Sequence, residues 1–214
     1  MPALRMAAFF LPLALAAQRP VPIDNEWARV VIATSAPGPK GRIHKHDMNR
    51  VMVYLDKGAQ RLEYEDGSRR EIPFGPGDVK WDPKGGMHTS ENRGGSTFRV
   101  VEIELKKPGG HVAWPATDPV KIAPSAYKVE FENDQVRVLR VRLAARQKVD
   151  LHEHRLPRIV VPLTEIDLQA TSADGTQSSF KGKLGDAIFA SPARHREQNM
   201  MDTTAELIVV ELKG

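Results

Sequence analysis

The sequence predicts an all-β protein of two similarly built domains in tandem, behind an N-terminal export segment. Three observations predict it. The chain repeats itself at a spacing of 108 residues, short β-branched runs recur along both halves, and a charge-free apolar stretch opens the chain.

The repeat is carried by residues of unlike chemistry. Asn25-Glu26-Trp27-Ala28-Arg29-Val30-Val31 resembles Asn133-Asp134-Gln135-Val136-Arg137-Val138-Leu139. His44-Lys45-His46 matches His152-Glu153-His154, Arg50 matches Arg158, Asp66-Gly67 matches Asp174-Gly175, and Gly77-Asp78 matches Gly185-Asp186. After one deletion the spacing becomes 107, so that His88 matches His195, Asn92 matches Asn199, and Glu104-Leu105-Lys106 matches Glu211-Leu212-Lys213. Six of the 7 histidines fall in paired positions, and His111 alone does not. The two copies are read as residues 22–106 and 127–214. Residues 107–126 between them are rich in Pro, Gly and small side chains, the composition of a linker. Trp114 within it is expected to pack on a domain.

Each copy reads as strands. Arg29-Val-Val-Ile-Ala, Val51-Met-Val-Tyr-Leu and Phe98-Arg-Val-Val-Glu-Ile-Glu-Leu are β-branched runs, and Val136–Leu143 alternates apolar with basic residues. Asp66-Gly67 and Asp174-Gly175 sit between such runs and mark hairpins. No amphipathic pattern sustains three helical turns, so a sandwich or barrel is expected.

The first seventeen residues have the layout of a secretory signal peptide: Arg5, then twelve residues without a charge, ending in the small residues Ala14-Leu15-Ala16-Ala17. Twelve apolar residues with Pro12 among them are too short for a bilayer, which needs about 20 helical residues, so no stable membrane span is expected. The mature protein is expected to be periplasmic or secreted. Removing residues 1–17 takes away Arg5 and lowers the formal net charge from +4 to 4 − 1 = +3. The positive charges are scattered and meet no aromatic or helical nucleic-acid motif, so nucleic acid is not an expected partner. With 0 cysteines, disulfides, thiolate ligands and cysteine nucleophiles are excluded.

With these residues in place, the sequence resembles the cupin superfamily, in the two-domain form of a bicupin. The first cupin motif, G-x5-H-x-H-x(3,4)-E-x6-G, is matched by Gly38, His44 and His46, with Arg50 at the glutamate's place and Gly58 beyond. The second, G-x5-P-x-G-x2-H-x3-N, is matched in full by Gly77, Pro83, Gly85, His88 and Asn92. The C-terminal copy keeps His152, His154, Gly185, Pro192, His195 and Asn199, with the segment from Gly185 to His195 one residue shorter than its counterpart and Pro192-Ala-Arg in place of the Pro-x-Gly turn. The resemblance covers nearly all of the mature chain and implies two jelly-roll barrels. Cupins often pair edge strands into dimers, so a homodimer is compatible.

In a strand, residues i and i+2 share a face, so His44 and His46 point the same way, as do His152 and His154. His88 and His195 would arrive from another strand. Three converging imidazoles suit a divalent ion such as iron, zinc, nickel, manganese or copper. Arg50 and Arg158 stand where the family carries a glutamate ligand, and arginine cannot ligate a metal. Three readings are open: a clamp on an anionic substrate group, an ion pair with Glu102, Glu104 or Glu211, or a metal-free cavity for an organic ligand. Trp81 and Phe189, in matched places, are expected in the barrel core. No catalytic residue is assigned from the sequence.

The functional expectation is an exported bicupin that binds a divalent metal through three histidines and acts on a small anionic molecule, as a dioxygenase, isomerase or hydrolase. The alternatives are a non-catalytic module for a carboxylate or sugar-like ligand, or a structural protein with relic motifs.

Overall fold

The structure, a computed structural model, describes residues 20–214; the export segment expected over residues 1–17 lies outside them. The N-terminal copy contains β1 (Ile23–Asp24), β2 (Ala28–Ser35), β3 (His44–His46), β4 (Arg50–Tyr54), β5 (Gly58–Tyr64), β6 (Arg69–Phe74), β7 (Val79–Asp82), β8 (Gly85–Asn92) and β9 (Phe98–Leu105). After a single-turn helix, α1 (Pro119–Ile122), the C-terminal copy contains β10 (Tyr127–Glu132), β11 (Val136–Leu143), β12 (Lys148–His154), β13 (Arg158–Pro162), β14 (Ile166–Ser172), β15 (Gln177–Gly182), β16 (Ile188–Ala190), β17 (Ala193–Asn199) and β18 (Ala205–Leu212).

Both copies are wound alike. The first forms a five-stranded sheet, β1-β2-β9-β4-β7, and a four-stranded sheet, β3-β8-β5-β6. The second repeats this as β10-β11-β18-β13-β16 and β12-β17-β14-β15. The chain therefore folds as two all-β jelly rolls in tandem. The Asp-Gly hairpins join β5 to β6 and β14 to β15. Gly67 and Gly175 take φ of 79° and 86°, and the preceding aspartates accept the backbone N–H of Ser68 and Thr176.

The central strands β4 and β13 are buried along their whole length, as the apolar runs that follow Arg50 and Arg158 require. In β9 the two faces divide. Val101, Ile103 and Leu105 join one apolar cluster, while Val100, Glu102 and Glu104 point the other way, into the barrel. That cluster is shared: Val51, Val53, Val101 and Ile103 of the first barrel pack with Ile159, Val161, Ile208 and Val210 of the second. The two five-stranded sheets thus bury each other. A reciprocal contact seals the pairing. Leu163 sits 3.1 Å from where a Cβ on Gly77 would lie, and Leu55 crowds the same place on Gly185. Leu55 and Leu163, like the two glycines, are 108 residues apart, so each barrel inserts the same leucine over the same glycine turn of the other.

Residues 107–126 are packed segment as well as connection. Asp118 caps α1 by accepting from Val120 N–H at 3.0 Å and also receives Arg137 Nη2 at 2.7 Å in a buried pair. Trp114 lies over the Arg137 guanidinium, 3.3 Å from ring centroid to Cζ. No described helix is long and apolar enough to cross a membrane.

Candidate metal centres

The antiparallel register brings the six paired histidines together in two triads. β3 lies beside β8 with His44 opposite His88, and β12 lies beside β17 with His152 opposite His195. His46 and His154, two residues on, share the same face. In each triad the candidate ligand atoms all lie within 4.8 Å of one another. Ring-centroid spacings are 4.6, 5.0 and 5.5 Å in the first triad and 4.7, 5.2 and 5.7 Å in the second.

In four of the six histidines the outer nitrogen is already engaged. Nδ1 of His44, His88 and His152 each donates to a backbone carbonyl two residues earlier, of Arg42, Gly86 and Asp150, at 2.9 Å. His154 Nδ1 donates to the buried Glu211 carboxylate at 3.2 Å. Such bonds fix the tautomer that leaves the Nε2 lone pair available to a metal. The donor set fits a divalent ion on a further count. His152 Nε2 is buried and is the one buried side-chain N or O atom without a hydrogen-bond partner among the described residues. Burial holds His88 below the usual imidazole pKa, with the charges of His44 and Arg50 adding to it. Burial pushes His195 down to about 3 and His154 well below its ordinary value, assisted by the neighbouring histidines and Arg158. All three are held in the neutral form that ligates.

The triads differ in access. His44 and His46 are half-buried and line a cavity of about 560 Å³ in the N-terminal barrel, with His88. His152, His154 and His195 are only 0%, 3% and 8% exposed. Tyr127 closes over them, its ring 5.6 Å from His152 and 6.0 Å from His154, and its hydroxyl is bonded to Glu197. Strand register places Ser90 of the first barrel where the second has Glu197. The smaller serine instead lines the open cavity.

The two arginines also differ. Arg50 lines the N-terminal cavity and is held by two carboxylates: Nη1 donates to Glu102 at 2.9 Å, and Nε donates to Asp82 at 3.1 Å, with Nη2 on the same Asp82 oxygen. Glu104 pairs with Arg29 at 2.8 Å, not with Arg50. Arg158 is buried and donates to the Ser191 carbonyl at 2.7 Å, with no carboxylate in ion-pair range among the described residues. The cause is visible in the register. Asp82 opposite Arg50 becomes Ala190 opposite Arg158, and Glu102 opposite Met52 becomes Val209 opposite Val160. Glu211 is taken by Arg137 Nε at 2.6 Å and by His154. Sequence reasoning missed Asp82 as the partner of Arg50, and missed Tyr127, Arg137 and Asp118. The substitutions Asp82/Ala190 and Glu102/Val209 are legible in the repeat once strand register is known. Trp81 and Phe189 pack against the shared interdomain cluster.

No protein-family model and no curated protein sequence matches the chain. Solved structures do. AerE from Microcystis aeruginosa is similar at 12% identity over 87% of this chain and 88% of that one, with a TM-score of 0.64. Bacillus subtilis oxalate decarboxylase, in a structure concerned with its Mn(II) centres, is similar at 13% identity over 88% of this chain and 69% of that one, with a TM-score of 0.61. The chain has the cupin fold, and its tandem barrels have the arrangement of a bicupin.

Proposed function

We propose that the protein is an exported bicupin that binds a divalent metal through His44, His46 and His88 and acts on a small anionic molecule in its N-terminal cavity. One observation carries the reading: three imidazoles, two of them with Nδ1 held by backbone carbonyls, converge on a cavity whose volume, about 560 Å³, suits a small ligand. A bound divalent ion would polarise a substrate oxygen or a bound water there. The chain's own residues orient the site. Backbone carbonyls fix the His44 and His88 rings, and Arg50 holds Asp82 and Glu102 on the cavity wall. The Tyr54 hydroxyl, pushed up to about 12 by burial and the nearby carboxylates, stays a neutral donor. The expected export of the mature chain supports metal loading outside the cytosol.

Cobalt(II) titration of chelator-treated protein tests the reading. Visible absorption of histidine-bound cobalt should rise with ligand occupancy, and His88→Ala should remove the N-terminal component. A titration identical in wild type and His88→Ala contradicts it. A non-catalytic binding module is the second reading, favoured by the engagement of both Asp82 and Glu102 with Arg50, which keeps either carboxylate from acting as an unencumbered base. It predicts thermal stabilisation by a ligand with no turnover of it.

A further inference from the structure

Arg50 cannot take the charge of a ligand without loosening Asp82 and Glu102. Three other cations line the same cavity: Arg42, two residues before His44; Arg70 on β6; and Lys80 on β7. None of them has an ion-pair or hydrogen-bonding partner for its side chain among the described residues. Arg42 and Arg70 are exposed, whereas Lys80 is half-buried within a sheet, on the same inward face as Asp82. A partly buried ammonium without a counter-ion opposes folding, and such liabilities are characteristic of binding sites. The lining carries Arg42, Arg50, Arg70 and Lys80 against Asp82 and Glu102, an excess of 4 − 2 = +2.

The C-terminal barrel is an internal control. Strand register and the repeat put Asp150, Ser178 and Ile188 in the places of Arg42, Arg70 and Lys80. The same fold therefore forms without these cations, and they belong to the open cavity alone. Arg70 reaches it from the four-stranded sheet and Lys80 from the five-stranded sheet, so the two approach from opposite walls. Arg70 is near enough for its charge to act on the Tyr54 hydroxyl across the barrel.

We infer, building on the function proposed above, that Lys80 with Arg70 is the anion receptor of the N-terminal barrel. Its ligand is a small organic anion whose carboxylate or phosphate group docks on these cations while the rest of the molecule extends toward His44, His46 and His88. Arg50 then acts as a structural tie for Asp82 and Glu102.

Calorimetric titration of the metal-loaded mature chain with succinate and, separately, with inorganic phosphate tests this and distinguishes the two anion chemistries. At least one probe should bind the wild type, and its affinity should fall tenfold or more in Lys80→Ile, which installs the C-terminal barrel's residue. Lys80→Arg, which keeps the charge, should retain binding, and Arg70→Gln should weaken it. In probe-free buffer Lys80→Ile should melt no lower than wild type, because it removes an uncompensated charge. A lower melting temperature, unchanged probe affinity in Lys80→Ile, or binding of neither probe overturns the inference. Metal content measured on the same samples keeps the two readings apart. A wild type without metal at its N-terminal triad defeats the proposed function, while anion binding that still depends on Lys80 supports the receptor.

Discussion

Arg50 and Arg158 occupy equivalent positions in equivalent strands, yet one is neutralised twice over and the other has no carboxylate partner. The difference lies in two exchanges, Asp82 for Ala190 and Glu102 for Val209. It sets opposite consequences for the same substitution. Arg50→Met strands two largely buried carboxylates and should cost about 3 kcal/mol in urea denaturation. Arg158→Met removes a desolvated cation without breaking an ion pair and should be neutral or stabilising. Equal losses in the two variants would contradict the asymmetry. The histidines supply a pH prediction for metal-free protein. His195, at about 3 when folded, and His154, well below its ordinary value, are neutral in the barrel but protonate in the unfolded chain near 6.5. The unfolded state therefore binds more protons as pH falls. The stability they contribute is fully present above 6.5 and is lost progressively toward 3, at up to about 1.4 kcal/mol per pH unit for each histidine. Melting temperature against pH should fall over this window and flatten in His195→Gln. The histidines were legible in the sequence because the repeat duplicates them. The carboxylates that hold Arg50 were not, because Asp82 lies opposite it only through strand pairing.

At the scale of elements, the long strands were legible from their β-branched runs, and the hairpins from Asp-Gly. The three-residue strands β3 and β16 carry too little periodicity to be read from their pattern; β3 was placed on a strand only through its His-x-His spacing, and β16 was not read. Gly77 and Gly185 were legible as motif residues, but their packing role was not. Both take positive φ, 80° and 84°, and each is covered by a leucine of the other barrel. Gly185→Ala should destabilise by about 2 kcal/mol through a strained turn and a clash with Leu55. Replacing Leu55 with Ala in the same chain should relieve only the clash, so the double variant should lose less than the sum of the singles.

At the scale of the molecule, the sequence presents two domains and a linker, whereas the structure gives them one shared apolar cluster. A single strand pattern cannot reveal this, because a two-sided apolar run such as Val51–Tyr54 says only that both faces are covered, not by what. With a common core, metal-free protein should unfold in one calorimetric transition whose calorimetric and van't Hoff enthalpies agree. An isolated 22–106 fragment would expose Val51, Val53, Val101 and Ile103 and should aggregate. Two separate transitions would contradict a shared core.

Both histidine triads are proposed to hold metal, the first openly and the second behind Tyr127. Metal stoichiometry by elemental analysis, on folded full-length protein, tests this most directly. Close to two divalent ions per chain are expected, one remaining in His88→Ala and one in His195→Ala, with the His88-dependent ion the first to leave on brief chelation. A folded wild type containing no metal, or one whose metal content is unchanged by both substitutions, would contradict it.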